Sequence, residues 1–392
     1  MPACIKVWHT GRPLQRARAP VRGARREVLR WCRRNQHRLS KMPPPNPTPA
    51  NTSCEAFQRR LLLPKSPQHE RPWMKRQPWV LRRPPPRIFD AFLFAGELEL
   101  LETRLHVLSS VVDTFVIVES DMAHSGSYNR SFAFPSVSAR LPPSLRGRIR
   151  YRQIRVREVP QMRLCAAGRE RASVAGAMRC EHYMRGSLLG EVFAAGAKPT
   201  DILVSGDVDE IPRPEYLRPF RDCTIFDPRS SHESHPTVVI LLAKAYMYNI
   251  GCDTGQDRWS YGPKVGAVFQ FDMLRDEPWR RHNGMNSRRW GNTAISAARF
   301  ADSAWHLTNF MTPEALAKKL EGFFHFRDLS DADRTPSRLS ELMARCKSPY
   351  PGKKYRFMRW APPSFGTPDT DALAYISERF PALRAGPRPA KL

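Results

Sequence analysis

The segment 201–214, which reads DILVSGDVDEIPRP, carries the residues best suited to chemistry. Its apolar start, Ile202-Leu203-Val204, predicts a buried strand, and Asp207, Asp209 and Glu210 follow where that strand would surface. Clustered carboxylates are costly unless a cation neutralises them, and Mg²⁺ and Mn²⁺ prefer carboxylate oxygens. The spacing therefore indicates a metal site that bridges to a nucleotide diphosphate. The alternative is a solvated acidic turn.

The elements around this segment predict an α/β fold. A strand at 87–94, a helix at 97–105 and a strand at 111–118 form a βαβ unit, which implies a parallel sheet. Glu119 then lies at the carboxyl edge of the second strand, where open α/β sheets bind ligands. We further expect strands at 148–159, 238–248 and 265–273, a helix at 178–195, and a helix that begins at Thr312-Pro313-Glu314. Pro212 and Pro214 are expected to prevent a regular helix or central strand after the acidic residues.

The chain has 392 residues and a net charge of +27, which is unevenly distributed. Residues 1–87 carry 21 of the 64 Lys and Arg residues and 15 of the 37 prolines, against three Glu and no Asp. Such a composition predicts a disordered basic tail. Its charge could contact nucleic acid, but no interleaved aromatic pattern supports this, so we favour a solvated tail without a specific nucleic-acid partner. The catalytic domain is predicted at 88–360 and a C-terminal extension at 361–392.

Membrane and cysteine patterns give little direct guidance. No apolar run reaches about 18 residues, so neither a transmembrane helix nor a signal peptide is predicted. The eight cysteines form no CxxC pair, which argues against a zinc ribbon or a thioredoxin-type site, and their pairing stays open.

Four sequence words carry a family resemblance: DAFLF with ELELLETRL, VVDTFVIVES, DILVSGDVDEIPRP and AWHL. In this order and spacing, over about 88–350, the chain resembles glycosyltransferase family 17. The resemblance implies a mixed, mostly parallel GT-A-like sheet flanked by helices. It also implies an inverting, metal-dependent enzyme that moves GlcNAc from UDP-GlcNAc to the β-linked mannose of N-glycans, as the bisecting β-1,4-GlcNAc, or to a related glycan.

The resemblance also suggests site residues. Asp207 and Asp209 match the acidic metal motif, with Asp209 the stronger candidate, and His306 could complete the coordination of Mn²⁺ or Mg²⁺. A histidine after a tryptophan is otherwise often a packed residue. Donor contacts are predicted for a set of residues that resemble recurring family positions: Arg104, Glu119, His182, Arg185 and Trp305. For Arg104 and Glu119 the alternative is an internal salt bridge that supports the sheet.

The catalytic base is open between several carboxylates. Glu210 and Glu314 are the main candidates, with Asp253 also plausible, because an inverting transfer needs a group to accept the proton of the acceptor hydroxyl. Glu210 could instead hold the metal loop, and Glu314 could only complement its helix dipole. Trp259 and Tyr261 could stack on a sugar ring, and His325 competes with His306 but is expected to line the core.

The chain departs from the family pattern at several positions, above all Cys180, Gly186 and Leu307. These departures motivate an alternative in which the protein binds a nucleotide sugar or glycan without catalysis. The family also implies residence in the Golgi lumen and membrane association, although no anchor is visible in the sequence.

Overall fold

The computed structural model describes part of the chain, in several ranges. These are residues 54, 57, 84–123, 130–162, 174–223, 238–256, 262–268, 271, 297–322, 329–350, 358–361 and 365–384.

The N-terminal βαβ unit is the centre of the sheet. Strand β1 (Ile88–Phe94) leads through helix α1 (Leu98–Leu108) into strand β2 (Thr114–Ser120), and the two strands pair in parallel. Every residue of β1 is buried. A strand covered on both faces reads as a nearly continuous apolar run, and in IFDAFLF only Asp90 interrupts it. The predicted βαβ unit is confirmed.

The parallel half of the sheet is completed by two further strands. Strand β3 (Ile149–Ile154) pairs with β2, and strand β4 (Ile202–Asp207) pairs with β1, which gives the order β3-β2-β1-β4. The connecting helices are α2 (Phe134–Ser138), α3 (Pro143–Arg146) and α4 (Val174–Ala194). Parallel strands place their carboxyl ends at one edge, so Phe94, Ser120 and Asp207 end on the same side.

The other half of the sheet is mixed. It contains β5 (Glu210–Pro212), β6 (Val238–Met247), β7 (Cys252–Asp253), β8 (Lys264–Ala267), β9 (Ala297–Thr308) and β10 (Arg359–Trp360). Strand β8 joins β4 to β6 by antiparallel pairing on both sides. Strand β9 pairs in parallel with β6 and antiparallel with β5. Within the described residues this makes one sheet of ten strands.

Helices cover both faces of the sheet. One face packs Phe92, Leu101 and Leu105 into a large cluster, and the other packs Phe89, Val116 and Leu189. The later helices are α5 (Pro214–Asp222), α6 (Pro313–Gly322), α7 (Pro336–Ala344) and α8 (Ala372–Arg379). This mixed sheet, with mostly parallel central strands between helices, confirms the predicted α/β class and is consistent with a GT-A-like fold.

The prolines after the acidic residues match the expectation only in part. Pro212 ends the short strand β5, which pairs with β9 on one side, and Pro214 occupies the first turn of α5. Proline is tolerated at both kinds of position because its missing N–H is not needed there. As predicted, the segment does not continue as a central strand, whereas the helix that begins at Pro214 was not predicted. The predicted helix start at Thr312 is confirmed, since its hydroxyl accepts the N–H of Ala315 at 3.3 Å.

Two parts outside the predicted core contact it. Cys54 and Phe57 lie in the segment predicted as a tail, yet both are buried, and Phe57 stacks on Phe300 with ring centroids 4.5 Å apart. The remaining residues of 1–83 lie outside the described part. In the predicted C-terminal extension, Tyr375 of α8 stacks on His106 of α1 with centroids 4.2 Å apart.

Among the described residues, two disulfides fix distant parts of the chain. Cys54 joins Cys223 and Cys252 joins Cys346, with Cα–Cα distances of 5.8 and 5.4 Å. None of the described helices is both long and apolar enough to cross a membrane.

We expect Cys54→Ser to destabilise the protein, because the disulfide to Cys223 closes a loop with a sequence separation of 169. A crosslink of this kind typically contributes about 2–5 kcal/mol. Denaturant unfolding of the variant measures the loss, and peptide mapping without reductant should recover Cys54 linked to Cys223. Recovery of Cys54 as a free thiol in the folded wild type would contradict the pairing.

Candidate functional site

The acidic residues lie at the carboxyl edge of β4, between the parallel and mixed halves of the sheet. Asp207 is the last residue of β4, and Glu210 begins β5 opposite His306 of β9. The Leu307 N–H donates to the Asp209 carbonyl at 2.8 Å, which fastens the turn to β9. The sequence DVDE is therefore a tight connection that holds its carboxylates near His306.

Arg104, a buried residue of α1, holds this turn through hydrogen bonds to its backbone. Its side chain is fully buried and makes an ion pair with Asp90 of β1, with N–O distances of 2.7 and 2.8 Å. Its Nη1 donates to the carbonyl oxygens of Asp207 at 2.8 Å and Glu210 at 2.7 Å. The predicted structural alternative for Arg104, an internal salt bridge, is thus observed, while a donor contact stays a prediction.

Glu210 is also engaged in the turn. Its carboxylate is buried, and Oε2 accepts the Asp207 N–H at 3.1 Å. Gly206 allows this approach, because a Cβ there would lie 3.1 Å from that oxygen and 3.4 Å from the Pro263 backbone. This is the loop-holding geometry anticipated for Glu210; its role as a base stays a prediction.

Asp209 and His306 form the pair best placed to hold a cation. The Asp209 Oδ2 lies 3.8 Å from the His306 Nε2, and both side chains are largely buried. Carboxylate and imidazole atoms at this separation could contact one ion, and Mg²⁺ sites often use one or two protein ligands completed by phosphate oxygens or water. The described residues contain no group of three or more His, Cys, Asp and Glu side chains arranged for a metal.

Asp207 has a different partner. Its Oδ1 lies 2.5 Å from the Arg185 Nη2, which is also 2.8 Å from the Glu181 carboxylate on the same helix, α4. Burial alone would lower the pKa of Arg185, but Asp207 and then Glu181 outweigh it and raise that pKa above its usual range. Asp207 thus carries its own counter-charge, and the two residues of the predicted metal pair, Asp207 and Asp209, contact different partners.

A second ion pair, in which Glu97 is buried and Lys319 partly exposed, borders the site and was missed by the sequence reasoning. Glu97 follows the turn after β1, where Gly96 has φ +103°, and its Oε1 lies 3.2 Å from the Lys319 Nζ on α6. Burial alone would lower the pKa of Lys319, but Glu97 and then Asp209 reverse this and raise it. Burial would raise the pKa of Glu97, and Lys319 instead holds it below 4.5.

The signals for this pair differ in the sequence. Glu97 could have been found, because it comes shortly after the carboxyl end of β1, and Glu119 and Asp207 lie at the corresponding ends of β2 and β4. Lys319 gave no signal: the helical pattern placed it away from the apolar face of α6, and only the packing of that helix shows its partner.

The other predicted residues are more dispersed. The Glu119 carboxylate accepts the N–H groups of Ala133 at 2.7 Å and Phe134 at 3.2 Å, and the Tyr151 hydroxyl at 2.6 Å. Burial and then this hydrogen bond raise the pKa of Tyr151. Glu119 therefore supports the start of α2, and a contact with the donor stays a prediction.

Trp305 and Glu314 occupy opposite environments. Trp305 is buried with the Arg213 guanidinium 4.3 Å from its ring centroid, and it faces away from His306 because side chains alternate along β9. Glu314 is exposed in the first turn of α6. Asp253 is buried, with Lys244 at 3.8 Å and Arg359 at 3.6 Å.

Some predicted positions fall outside the description. His182 lies on α4, but its side chain, like that of Cys180, is not among the described ones. Trp259, Tyr261 and His325 lie outside the described residues altogether. Their predicted roles stay predictions.

We expect Arg104→Met to destabilise the fold by about 3–5 kcal/mol, because it leaves the Asp90 carboxylate buried without its partner. The matched control is the double variant Asp90→Leu/Arg104→Met, which removes both charges and should recover much of the loss. Denaturant unfolding compares the three proteins. A single variant as stable as the wild type would show that the pair does not hold the turn.

The Glu97–Lys319 pair should give stability a defined dependence on pH. The pKa of Glu97 is lower in the folded than in the unfolded state, so the ionised carboxylate stabilises the protein above pH 4.5. This stabilisation is lost as the pH falls from 4.5 through the folded-state pKa. The pKa of Lys319 is higher in the folded state, so the charged ammonium stabilises the protein below pH 10.5. This stabilisation is lost as the pH rises from 10.5 through the folded-state pKa. The wild type should therefore exceed Glu97→Gln in stability near neutral pH, and the difference should shrink below about pH 4.5.

Unfolding titrations from acid to neutral pH measure this difference, with Glu99→Gln in the same turn of α1 as the control. A constant difference between wild type and Glu97→Gln at every pH would contradict the electrostatic origin.

The comparisons with known proteins bear on the same residues. A search of curated proteins found no match. The family model described as Glycosyltransferase family 17 matches residues 64–342, which is more than two thirds of the chain and includes Arg104, Asp209, His306 and Lys319. The chain therefore belongs to glycosyltransferase family 17.

Proposed function

We propose that this protein is an inverting glycosyltransferase that transfers GlcNAc from UDP-GlcNAc to the β-linked mannose of an N-glycan, or to a related glycan. Family membership supports glycosyl transfer from a nucleotide sugar to a glycan. The observation that carries the proposal is the Asp209–His306 pair, 3.8 Å apart at the carboxyl edge of the sheet. Open α/β sheets bind their ligands at that edge.

In this proposal Asp209 and His306 hold a divalent cation, Mn²⁺ or Mg²⁺. When bound, such an ion stabilises the negative charge of a departing diphosphate. Asp209 is positioned by its carbonyl, which accepts the Leu307 N–H, and His306 by the pairing of β9 with β5. Arg104 and Glu210 hold the same turn through its backbone, so they would help to position Asp209 for such an ion.

The proton of the acceptor hydroxyl needs a carboxylate within hydrogen-bond reach. Glu210 is near the metal pair, but its Oε2 already accepts the Asp207 N–H and the residue is buried. Glu314 is exposed and accessible to an acceptor. Both residues stay candidates for the base. Glu210 would have to accept the proton while it also holds the acidic turn. Glu314 would have to lie within reach of the acceptor sugar.

The proposed compartment is the Golgi lumen, with membrane association as the family suggests. The two disulfides among the described residues fit this proposal, because such bonds persist in oxidising compartments.

A second function is favoured by one observation. Arg185 already neutralises the Asp207 carboxylate at 2.5 Å, so one acidic residue of the motif is committed within the protein. A family member that binds a nucleotide sugar or glycan without transferring it would tolerate this arrangement. Binding through the basic tail to nucleic acid is the weaker alternative, and that segment lies mostly outside the described residues.

The proposal predicts that the full chain releases UDP from UDP-GlcNAc only with Mn²⁺ and a biantennary N-glycan acceptor. Asp209→Asn should lower this rate by at least about 100-fold, because the carboxylate charge needed at the diphosphate is lost. Asp222→Asn, an exposed residue at the end of α5, is the control and should leave the rate unchanged.

Both variants should unfold at the same denaturant concentration as the wild type. Turnover by Asp209→Asn at the wild-type rate, or undiminished turnover in EDTA, would refute the metal-dependent mechanism. UDP binding without product would favour the non-catalytic alternative.

A further inference from the structure

Lys319 lies beside the candidate metal pair and belongs to an element far along the chain. Its Nζ is 3.2 Å from the Glu97 Oε1, and Asp209 acts on the same ammonium electrostatically. The Lys319 side chain is 27% exposed and that of Glu97 is 7% exposed. The Lys319 side chain is therefore only partly covered, and its contact with Glu97 places it near the carboxyl end of β1.

Glu97 is positioned as a support for this lysine. Its other carboxylate oxygen accepts the Ala95 N–H at 3.1 Å, so the side chain is held from the turn that ends β1. A carboxylate fixed by the backbone orients an ammonium, which otherwise moves on a flexible four-carbon stem. Lysine carries three N–H donors, and a single carboxylate oxygen at 3.2 Å does not exhaust them.

The charges around Lys319 suit the binding of a diphosphate together with a divalent metal ion. The two negative charges of Glu97 and Asp209 face the positive charge of Lys319 and that of Arg130, which acts on Glu97. A divalent ion at Asp209 would turn this balance to a net positive charge, which then favours a diphosphate. A solvated lysine elsewhere on α6 would not respond to the occupation of the metal pair in this way.

Resting on the proposed function, we propose that Lys319 is a donor-binding residue that contacts the diphosphate of the nucleotide sugar, and that Glu97 is its positioning residue. In this proposal the ammonium donates to a diphosphate oxygen and keeps its contact with Glu97. The acceptor oxygen forms a bond to the anomeric carbon and gives its proton to the carboxylate base. The bond from that carbon to the diphosphate oxygen breaks with its electron pair left on the oxygen, and Lys319 stabilises the resulting charge.

The test compares affinities for UDP and for uridine, which lacks the phosphates, by titration calorimetry on the full chain with Mn²⁺. Lys319→Met should weaken UDP binding by about 10- to 100-fold, the usual effect of losing a hydrogen bond to a charged group. Its affinity for uridine should be unchanged. Lys318→Met, the exposed neighbour on the same helix, is the matched control and should bind both ligands as the wild type does.

Lys319→Arg keeps the charge and should retain most of the UDP affinity. Glu97→Gln should weaken UDP binding less than Lys319→Met, because the ammonium remains but is less well oriented. If Lys319→Met fails to fold, Lys319→Gln, which can still donate to Glu97, takes its place in the comparison.

The outcomes separate the two proposals. Equal UDP affinity in Lys319→Met and wild type overturns the role of Lys319 and leaves the proposed function standing. If Lys319→Met loses as much affinity for uridine as for UDP, the role is also overturned, because the Glu97–Lys319 pair would then only hold α6 in place. A wild type that binds no UDP with Mn²⁺ refutes the proposed function, and the role of Lys319 with it.

Discussion

The buried guanidinium of Arg104 is the contact on which the candidate site depends. It neutralises Asp90 inside β1, every residue of which is buried, and donates to two carbonyl oxygens of the acidic turn. A buried charge of this kind is tolerated only when its hydrogen bonds are satisfied. The carbonyl oxygens of the acidic turn accept two of the hydrogen bonds that Arg104 donates. The same side chain therefore stabilises the core and positions Asp207 and Glu210.

Around this support, the site gathers residues from widely separated parts of the chain. Asp209 follows β4, His306 belongs to β9, and Lys319 belongs to the helix after β9, while Glu97 comes from the turn after β1. Two pairings make this possible: β1 with β4 in parallel, and β5 with β9 antiparallel. The first aligns the strand ends at one edge, and the second brings His306 back to the acidic turn after about 100 residues of intervening chain.

The sequence predicted those parts of the fold that depend on local pattern. The βαβ unit and β4 were predictable because strands buried on both faces are apolar runs, and Asp209 because it follows such a run. The Asp90 in an otherwise apolar strand was a signal for a buried cation, although it did not identify its partner beyond the alternative of a salt bridge at Arg104. Lys319 and the cysteine pairs were not predictable, because each depends on how distant elements pack and leaves no local pattern.

The two aspartates of the motif are chemically distinct, although the sequence presents them as equivalent. Two ionised carboxylates two residues apart on one turn would repel each other, and the protein separates them by giving each its own partner. Asp207 is bound to Arg185, whose second carboxylate partner, Glu181, keeps it in place. Asp209 instead lies 3.8 Å from His306, and a carboxylate and an imidazole can share one metal ion. This difference in partners, rather than the order of residues in the motif, is the physical reason to expect the cation at Asp209.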